Sequence, residues 1–217
     1  MLSAQRCKLT VPASRIQTLL KPYYHVVPLE ICDKIQSYMD LLSMWGRRIA
    51  LTTISNEDDV IRFHFGESIF ALSLESFEHG RLADVGSGAG FPGLAIKLLR
   101  PDLHVTLLEP NKKKCAFLNE VARKLQFSNV DVLPVRFEAS KIPPNELEFV
   151  TSRALGRLSD LLSWSGAALR YDGRILLWLG AEDAEKTTEI PGWYWVQTSI
   201  PGTVRRRILS GSPQMKS

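Results

Sequence analysis

Asp84-Val85-Gly86-Ser87-Gly88-Ala89-Gly90-Phe91-Pro92-Gly93 is the stretch on which the reading of this chain turns. It follows a short apolar run at 82–85 and opens a helix-like stretch at 92–99, so it reads as a glycine loop between a strand and a helix. The same rhythm continues outward. Apolar runs at 105–108, 130–135, 149–152 and 175–179 alternate with helical patterns at 112–126 and 157–170. In 112–126, Asn111 is a candidate N-cap, and Cys115, Leu118, Val121, Ala122 and Leu125 share one face. Strands alternating with helices build a parallel sheet whose ligand site lies beyond the C-terminal strand ends. Runs at 193–198 and 205–209, separated by Pro201-Gly202, predict a closing antiparallel hairpin. Upstream, Ile31, Ile35, Tyr38, Met39, Leu41, Leu42 and Trp45 recur at helical spacing, and a second helix is expected over 57–74. The expected fold is α/β, a doubly wound Rossmann-like sheet (79–217) behind a helical N-terminal extension (1–78).

Composition bounds what such a fold can do. The chain has 217 residues, 45% hydrophobic and 23% charged, enough for a core without disulfides or metal. No apolar run is long enough to span a membrane, and the first 20 residues carry Arg6, Lys8 and Arg15 without an export signal. Cys7, Cys32 and Cys115 are odd in number, far apart and without metal-ligand spacing, so a reducing cytoplasm and no metal are expected. The net charge is +4, and residues 1–50 supply all of it with seven Lys/Arg against three Asp/Glu. A basic front could guide an anionic polymer such as RNA, or simply form a solvated helix face. The runs Lys112-Lys113-Lys114 and Arg205-Arg206-Arg207 allow the same two readings.

The loop admits two ligands. Gly88-Ala89-Gly90-Phe91-Pro92-Gly93 fits GxGxxG, the pattern that lays a dinucleotide pyrophosphate on a helix N-terminus, and an NAD-dependent oxidoreductase would follow. Asp84, Gly86, Gly88 and Gly90 equally fit the acid-x-Gly-x-Gly-x-Gly loop of enzymes using S-adenosylmethionine. A carboxylate at the mouth of the loop repels a pyrophosphate and attracts a sulfonium bearing an ammonium, which favours the methyl donor. The candidate cofactor-binding residues of the loop are therefore Asp84, Gly86, Ser87, Gly88, Gly90 and Phe91. Glu109, at the end of the second strand, stands where both ligand classes place an acid on the ribose, though it could also stabilise the next helix. Phe137 and Glu138 fall where an adenine would lie, with plain core the alternative for Phe137. Thr151-Ser152-Arg153-Ala154 ends the fourth strand, beside the expected point of transfer. It offers neither the Asn/Asp-Pro-Pro-aromatic tetrapeptide of exocyclic-amine methylation nor a cysteine nucleophile. An acceptor with an in-plane lone pair, such as guanine N7, needs neither, and proximity supplies most of the acceleration. No catalytic base is expected, and Arg153 is a candidate for positioning cofactor or RNA, with a plain salt bridge as the alternative.

These segments resemble the bacterial RsmG family, also called glucose-inhibited division protein B, over about residues 28–209. The specific echoes are the loop with its Phe91-Pro92-Gly93 tail and Ser152-Arg153-Ala154. Weaker ones are Trp45 with Leu51-Thr52, His64 with Glu67-Ser68, and Glu109-Pro110-Asn111-Lys112-Lys113-Lys114 followed by Phe117-Leu118. The resemblance implies a seven-stranded class I methyltransferase fold, S-adenosyl-L-methionine as donor, and N7 of a guanine in the 530-loop region of 16S rRNA as acceptor. By position it implies that Gly86 and Phe91 touch the cofactor, Phe137 and Glu138 flank its adenine, and Arg153 lies near the acceptor. A monomer acting on the small ribosomal subunit is expected. The family pattern departs at four points: Leu179 replaces a lysine, Ala50 an asparagine, Phe63 an arginine and Glu67 an aspartate. A binding or ribosome-assembly factor without turnover is the alternative these departures leave open.

Overall fold

The computed structural model describes residues 11–153 and 156–214, so Arg6, Cys7, Lys8 and Ala154 lie outside the described residues. Seven strands form one sheet: β1 (Arg81–Val85), β2 (His104–Leu108), β3 (Val130–Leu133), β4 (Leu147–Arg153), β5 (Leu169–Gly180), β6 (Trp193–Ser199) and β7 (Arg206–Pro213). Their order is β3-β2-β1-β4-β5-β7-β6. The first five run parallel, and β7 lies antiparallel between β5 and β6. The order reverses between β1 and β4, the switch point at which open α/β sheets bind ligands.

Helices α5 (Gly93–Leu99), α6 (Lys112–Lys124), α7 (Leu158–Ala168) and α8 (Ala181–Thr188) accompany the sheet. The expected cap of α6 is present: the Asn111 side chain accepts from the amides of Lys113 and Lys114 at 2.9 and 3.2 Å. The helical pattern at 157–170 ends early, because the chain passes without a loop from Ala168 into β5. That strand begins at Leu169 rather than at the apolar run from 175.

The extension consists of α1 (Ala13–Leu20), α2 (Leu29–Gly46) and a helical path containing α3 (Glu57–Val60) and α4 (Glu67–Ile69). The helix expected over 57–74 is not uniform. Ile61–Gly66 form a wide π turn between α3 and α4, and Phe70–Ser73 a tight 3-10 turn. Residues 65–69 are buried throughout, so this segment is enclosed rather than laid on a surface. Gly66 is required there, since a Cβ would fall 2.6 Å from Tyr23 Cδ2.

Alternation along the strands divides two cores. Leu82, Phe149, Leu176, Trp178 and Ile208 face the extension, α5 and α6; Ala83, Val150, Ile175, Leu177 and Leu209 face α7 and α8. The first core runs unbroken into α1 and α2. Its centre is Tyr38, fully buried, stacked on Phe91 at 5.3 Å and edge-on to Phe65 at 5.3 Å. The Tyr38 hydroxyl donates to the Ala89 carbonyl at 2.6 Å, so the extension holds the glycine loop directly. Tyr38→Phe leaves that carbonyl without its donor. A loss of about 1–2 kcal/mol is expected, read as a lower denaturant midpoint at unchanged slope. An unchanged midpoint would show that the bond does not restrain the loop.

Candidate functional site

The loop after β1 is shaped by what its backbone must do. Gly86, Gly88 and Gly90 have φ of 72°, 56° and 86°, the left-handed region where a side chain is strained. At Gly90 space also forbids one, because a Cβ would lie 2.2 Å from Tyr38 Oη. The Gly86 amide donates to the Leu108 carbonyl at 2.9 Å, and the Ser87 hydroxyl to the Asp84 carbonyl at 2.8 Å. Glu109 clamps the loop from β2: its carboxylate accepts from the Gly88 amide at 2.9 Å and the Asn111 amide at 2.8 Å. It therefore serves the start of α6 and the loop at once.

Two loop residues are placed differently from expectation. Asp84 does not stand at the mouth of the loop; it is fully buried beneath it. Its carboxylate accepts from Thr151 Oγ1 at 2.8 Å and from the Gly93 amide at 3.2 Å. Thr151 is its cross-strand partner on β4, so one carboxylate ties β1, β4 and the start of α5. Burial pushes its pKa up to about 6 against those hydrogen bonds, with the nearby Glu109 charge adding to the rise. The Phe91 side chain is also committed inward, between Tyr38 and His64, whose ring stacks on it at 4.8 Å. What Phe91 gives the loop is attachment to the extension.

Beside the loop, on the α7 side, a cleft of about 250 Å³ is lined by Val85, Gly86, Leu108, Pro110, Arg136, Phe137, Glu138, Gly156 and Arg157. It brings together the sequence-predicted Gly86, after β1, with Phe137 and Glu138, after β3, while Glu109 and Arg153 do not line it. Phe137 supplies a mostly buried ring braced edge-on by Trp164 at 5.7 Å, and the exposed Glu138 is paired with Arg157 at the mouth. A larger cavity of about 730 Å³, near Asn145, Arg170 and Trp193, opens at the strands' opposite ends, away from the loop.

On the extension side, beyond the ends of β4 and β7, lies a cluster centred on Glu67, which the sequence offered only through the family resemblance and not as a site residue. Glu67, 1% exposed, accepts at Oε2 from Arg206 Nη1 at 2.7 Å and from Arg153 Nη2 at 3.2 Å. Arg153 also donates to the Phe63 carbonyl at 2.8 Å, and the Arg206 guanidinium sits 5.1 Å over the Phe63 ring. The Glu67 carbonyl accepts from Trp178 Nε1 at 2.8 Å, adding β5 to the tie. Burial raises the Glu67 pKa and lowers that of Arg153, while their attraction opposes both shifts. His64 has its pKa pressed down to about 4 by burial, reinforced by the same two arginines. It is therefore neutral at pH 7, its Nε2 2.6 Å from Thr52 Oγ1. Period-two alternation could have found Arg206: it shares a strand face with the fully buried Ile208.

A family model described as GidB, rRNA small subunit methyltransferase G, matches residues 31–204. The ribosomal RNA small subunit methyltransferase G of Syntrophotalea carbinolica is 33% identical over 178 residues, spanning 81% of this chain and 82% of that relative. The protein of that name from Xylella fastidiosa (strain 9a5c) is 37% identical over 177 residues, spanning 81% and 78%. The chain belongs to the GidB family of rRNA small subunit methyltransferases. Among solved structures, a SAM-dependent methyltransferase from Aquifex aeolicus superposes with TM-score 0.62 at 12% identity, over 82% of this chain and 98% of that one. M. jannaschii TYW2 in complex with AdoMet gives 0.57 at 13%, over 77% and 78%. Both show the same fold.

GidB membership makes this chain a methyltransferase drawing on S-adenosylmethionine, and the NAD reading of the loop is set aside. The cleft fits such a group: a ring face at Phe137, a carboxylate at Glu138, and a loop whose backbone approaches without a side chain at Gly86. Among the described residues no group of three or more His, Cys, Asp or Glu could hold a metal ion, and no helix is long and apolar enough to cross a membrane. Cys32 and Cys115 are buried and free, and Cys115 donates to the Glu109 carbonyl at 2.9 Å rather than facing the β4 end.

Proposed function

We propose that this chain transfers the methyl group of S-adenosylmethionine to N7 of a guanine in the 530-loop region of 16S rRNA, on the small ribosomal subunit. When bound, the cofactor supplies an electrophilic methyl on a sulfonium. In this reading Gly86 and Gly88 admit the cofactor against their backbone, Glu109 takes its ribose, and Phe137 and Glu138 flank its adenine. Ser87, Gly90 and Phe91 shape the loop, Asp84 supports it from below, and Arg153 lies toward the acceptor. The same reading makes the chain a cytoplasmic enzyme acting as a monomer.

The observation that carries N7 is the chemistry beyond β4. His64 is neutral and packed, Glu67 is held by two arginines, and the described cysteines lie on α2 and α6, Cys115 with its thiol on the Glu109 carbonyl. An exocyclic amine or a ring carbon would need a proton removed or a covalent adduct, whereas N7 offers its lone pair directly. Orientation of the acceptor then supplies the rate.

The test is methyl transfer from labelled S-adenosylmethionine to small subunits lacking the modification, and to deproteinised 16S rRNA, followed by digestion and mass spectrometry. 7-Methylguanosine in 16S rRNA is the expected product. A different methylated nucleoside would overturn the N7 assignment. No transfer with S-adenosylhomocysteine binding intact would point to a factor that binds without turnover, and Leu179→Lys would be the first reversion to make.

A further inference from the structure

Arg153 and Arg206 come from strands at different places in the sheet, yet both point to one carboxylate oxygen. Glu67 Oε2 accepts from both, while Glu67 Oε1 is buried and has no hydrogen-bond partner among the described residues. An ion pair built only for stability would spread its donors over both oxygens, since an unpaired buried acceptor costs about 1–3 kcal/mol. Two guanidiniums against one carboxylate also leave one positive charge uncompensated. That excess is not sealed in: the side chain of Glu67 is 1% exposed, that of Arg153 20% and that of Arg206 37%. Arg206 is thus held to Glu67 through Nη1 while over a third of its side chain stays exposed, beside the tip of β5 where Gly180 is its pairing partner. Its ring contact with Phe63 fixes the plane of the guanidinium.

We propose that Arg206 is a seat for one backbone phosphate of the RNA strand carrying the target base, with Glu67 the positioning residue that holds the guanidinium in place. This rests on the reading of the chain as an RNA methyltransferase. A planar fork oriented by a buried carboxylate suits a tetrahedral anion with several acceptor oxygens. Arg153, nearer the glycine loop, shares the same anchor, so the two arginines span from the cofactor side to the RNA side of the acceptor position. Holding the strand beside the base is what a reaction limited by orientation requires.

The experiment measures binding of deproteinised 16S rRNA at several salt concentrations, together with kcat, KM and S-adenosylhomocysteine affinity. Arg206→Ala should weaken RNA binding about tenfold at 0.15 M salt and lower the slope of log affinity against log salt by about one contact. KM for RNA should rise while S-adenosylhomocysteine affinity stays unchanged. Arg206→Lys should restore the slope and only part of the KM, because the charge returns without the fork. Glu67→Gln should raise KM without changing the salt slope, and Glu67→Asp should recover most of it. Lys124→Ala, at the far end of α6, serves as control and should leave the slope unchanged. An unaltered slope and KM in Arg206→Ala would overturn the seat, even if the variant melts earlier. A parallel fall in S-adenosylhomocysteine affinity would assign Arg206 to the cofactor's carboxylate and overturn it too. If the wild type bound 16S rRNA with the expected salt dependence but made no 7-methylguanosine, the functional reading would fail while the phosphate seat was still read from the slopes.

Discussion

Gly86→Asp should produce a protein that folds, binds 16S rRNA as before, and transfers no methyl group. The site is the left-handed Gly86, φ 72°, on the wall of the 250 Å³ cleft with its amide tied to Leu108. Aspartate is among the few residues that enter this backbone region, so the stability loss should stay near 1–2 kcal/mol. The new carboxylate, however, occupies the close approach that glycine leaves open. A loss of S-adenosylhomocysteine affinity of at least a hundredfold is expected, which is about 3 kcal/mol. In thermal unfolding, the wild type should gain about 2.7 kcal/mol at a ligand concentration one hundred times its Kd, and the variant no more than about 0.4 kcal/mol at the same concentration. Equal methylation by the variant would remove Gly86 from the cofactor wall. Loss of RNA binding as well would mean that the loop supports the RNA face.

The fold was legible because the sheet is written in period two and the helices in period three to four, and each residue's partner face follows from its neighbours. Leu82, Phe149, Leu176 and Ile208 are apolar because one core needs them, and Ala83, Val150, Ile175 and Leu209 because the other does. The glycine loop was legible for a related reason: it follows a parallel strand, is local, and its spacing survives in one dimension. What escaped depends on contacts between distant segments. Glu67 meets Arg153 across 86 positions and Arg206 across 139, and no local pattern announces that a charged residue on a helix will be enclosed. The π turn over Ile61–Gly66 adds to this, because the widened register changes which residues share a face. Arg206 stands in a basic run with its neighbours, although strand alternation sends it to the opposite face from Arg207. Asp84 shows the converse. Its position was right and its exposure was not, since the motif gives the strand end without saying that Thr151 waits beside it as a donor.

That buried carboxylate gives the second large effect. Its folded pKa of about 6 lies above the ordinary 3.8, so the folded state binds the proton more tightly than the unfolded chain does. A carboxyl raised in this way favours folding fully below about pH 3.8 and withdraws that contribution as pH rises toward 6. Above pH 6 the ionised Asp84 therefore destabilises the wild type by about 3 kcal/mol relative to its protonated form. Asparagine avoids this while keeping the geometry: its carbonyl can accept from the Gly93 amide, and its amide can donate to Thr151 Oγ1. Denaturant unfolding of Asp84→Asn and wild type at pH 4, 5, 6 and 7 should show the variant gaining on the wild type between pH 4 and 6, then running parallel to it. Parallel curves across the whole range would mean that the carboxylate is not strained by burial. Such a strained charge at the switch point is explained if it acts on the ligand above it. S-adenosylmethionine carries a sulfonium that S-adenosylhomocysteine lacks, so Asp84→Asn should weaken the first several-fold more than the second. Equal effects on both would confine Asp84 to holding the loop. A selective loss of the sulfonium ligand would show that the field of a residue it never touches helps to distinguish substrate from product.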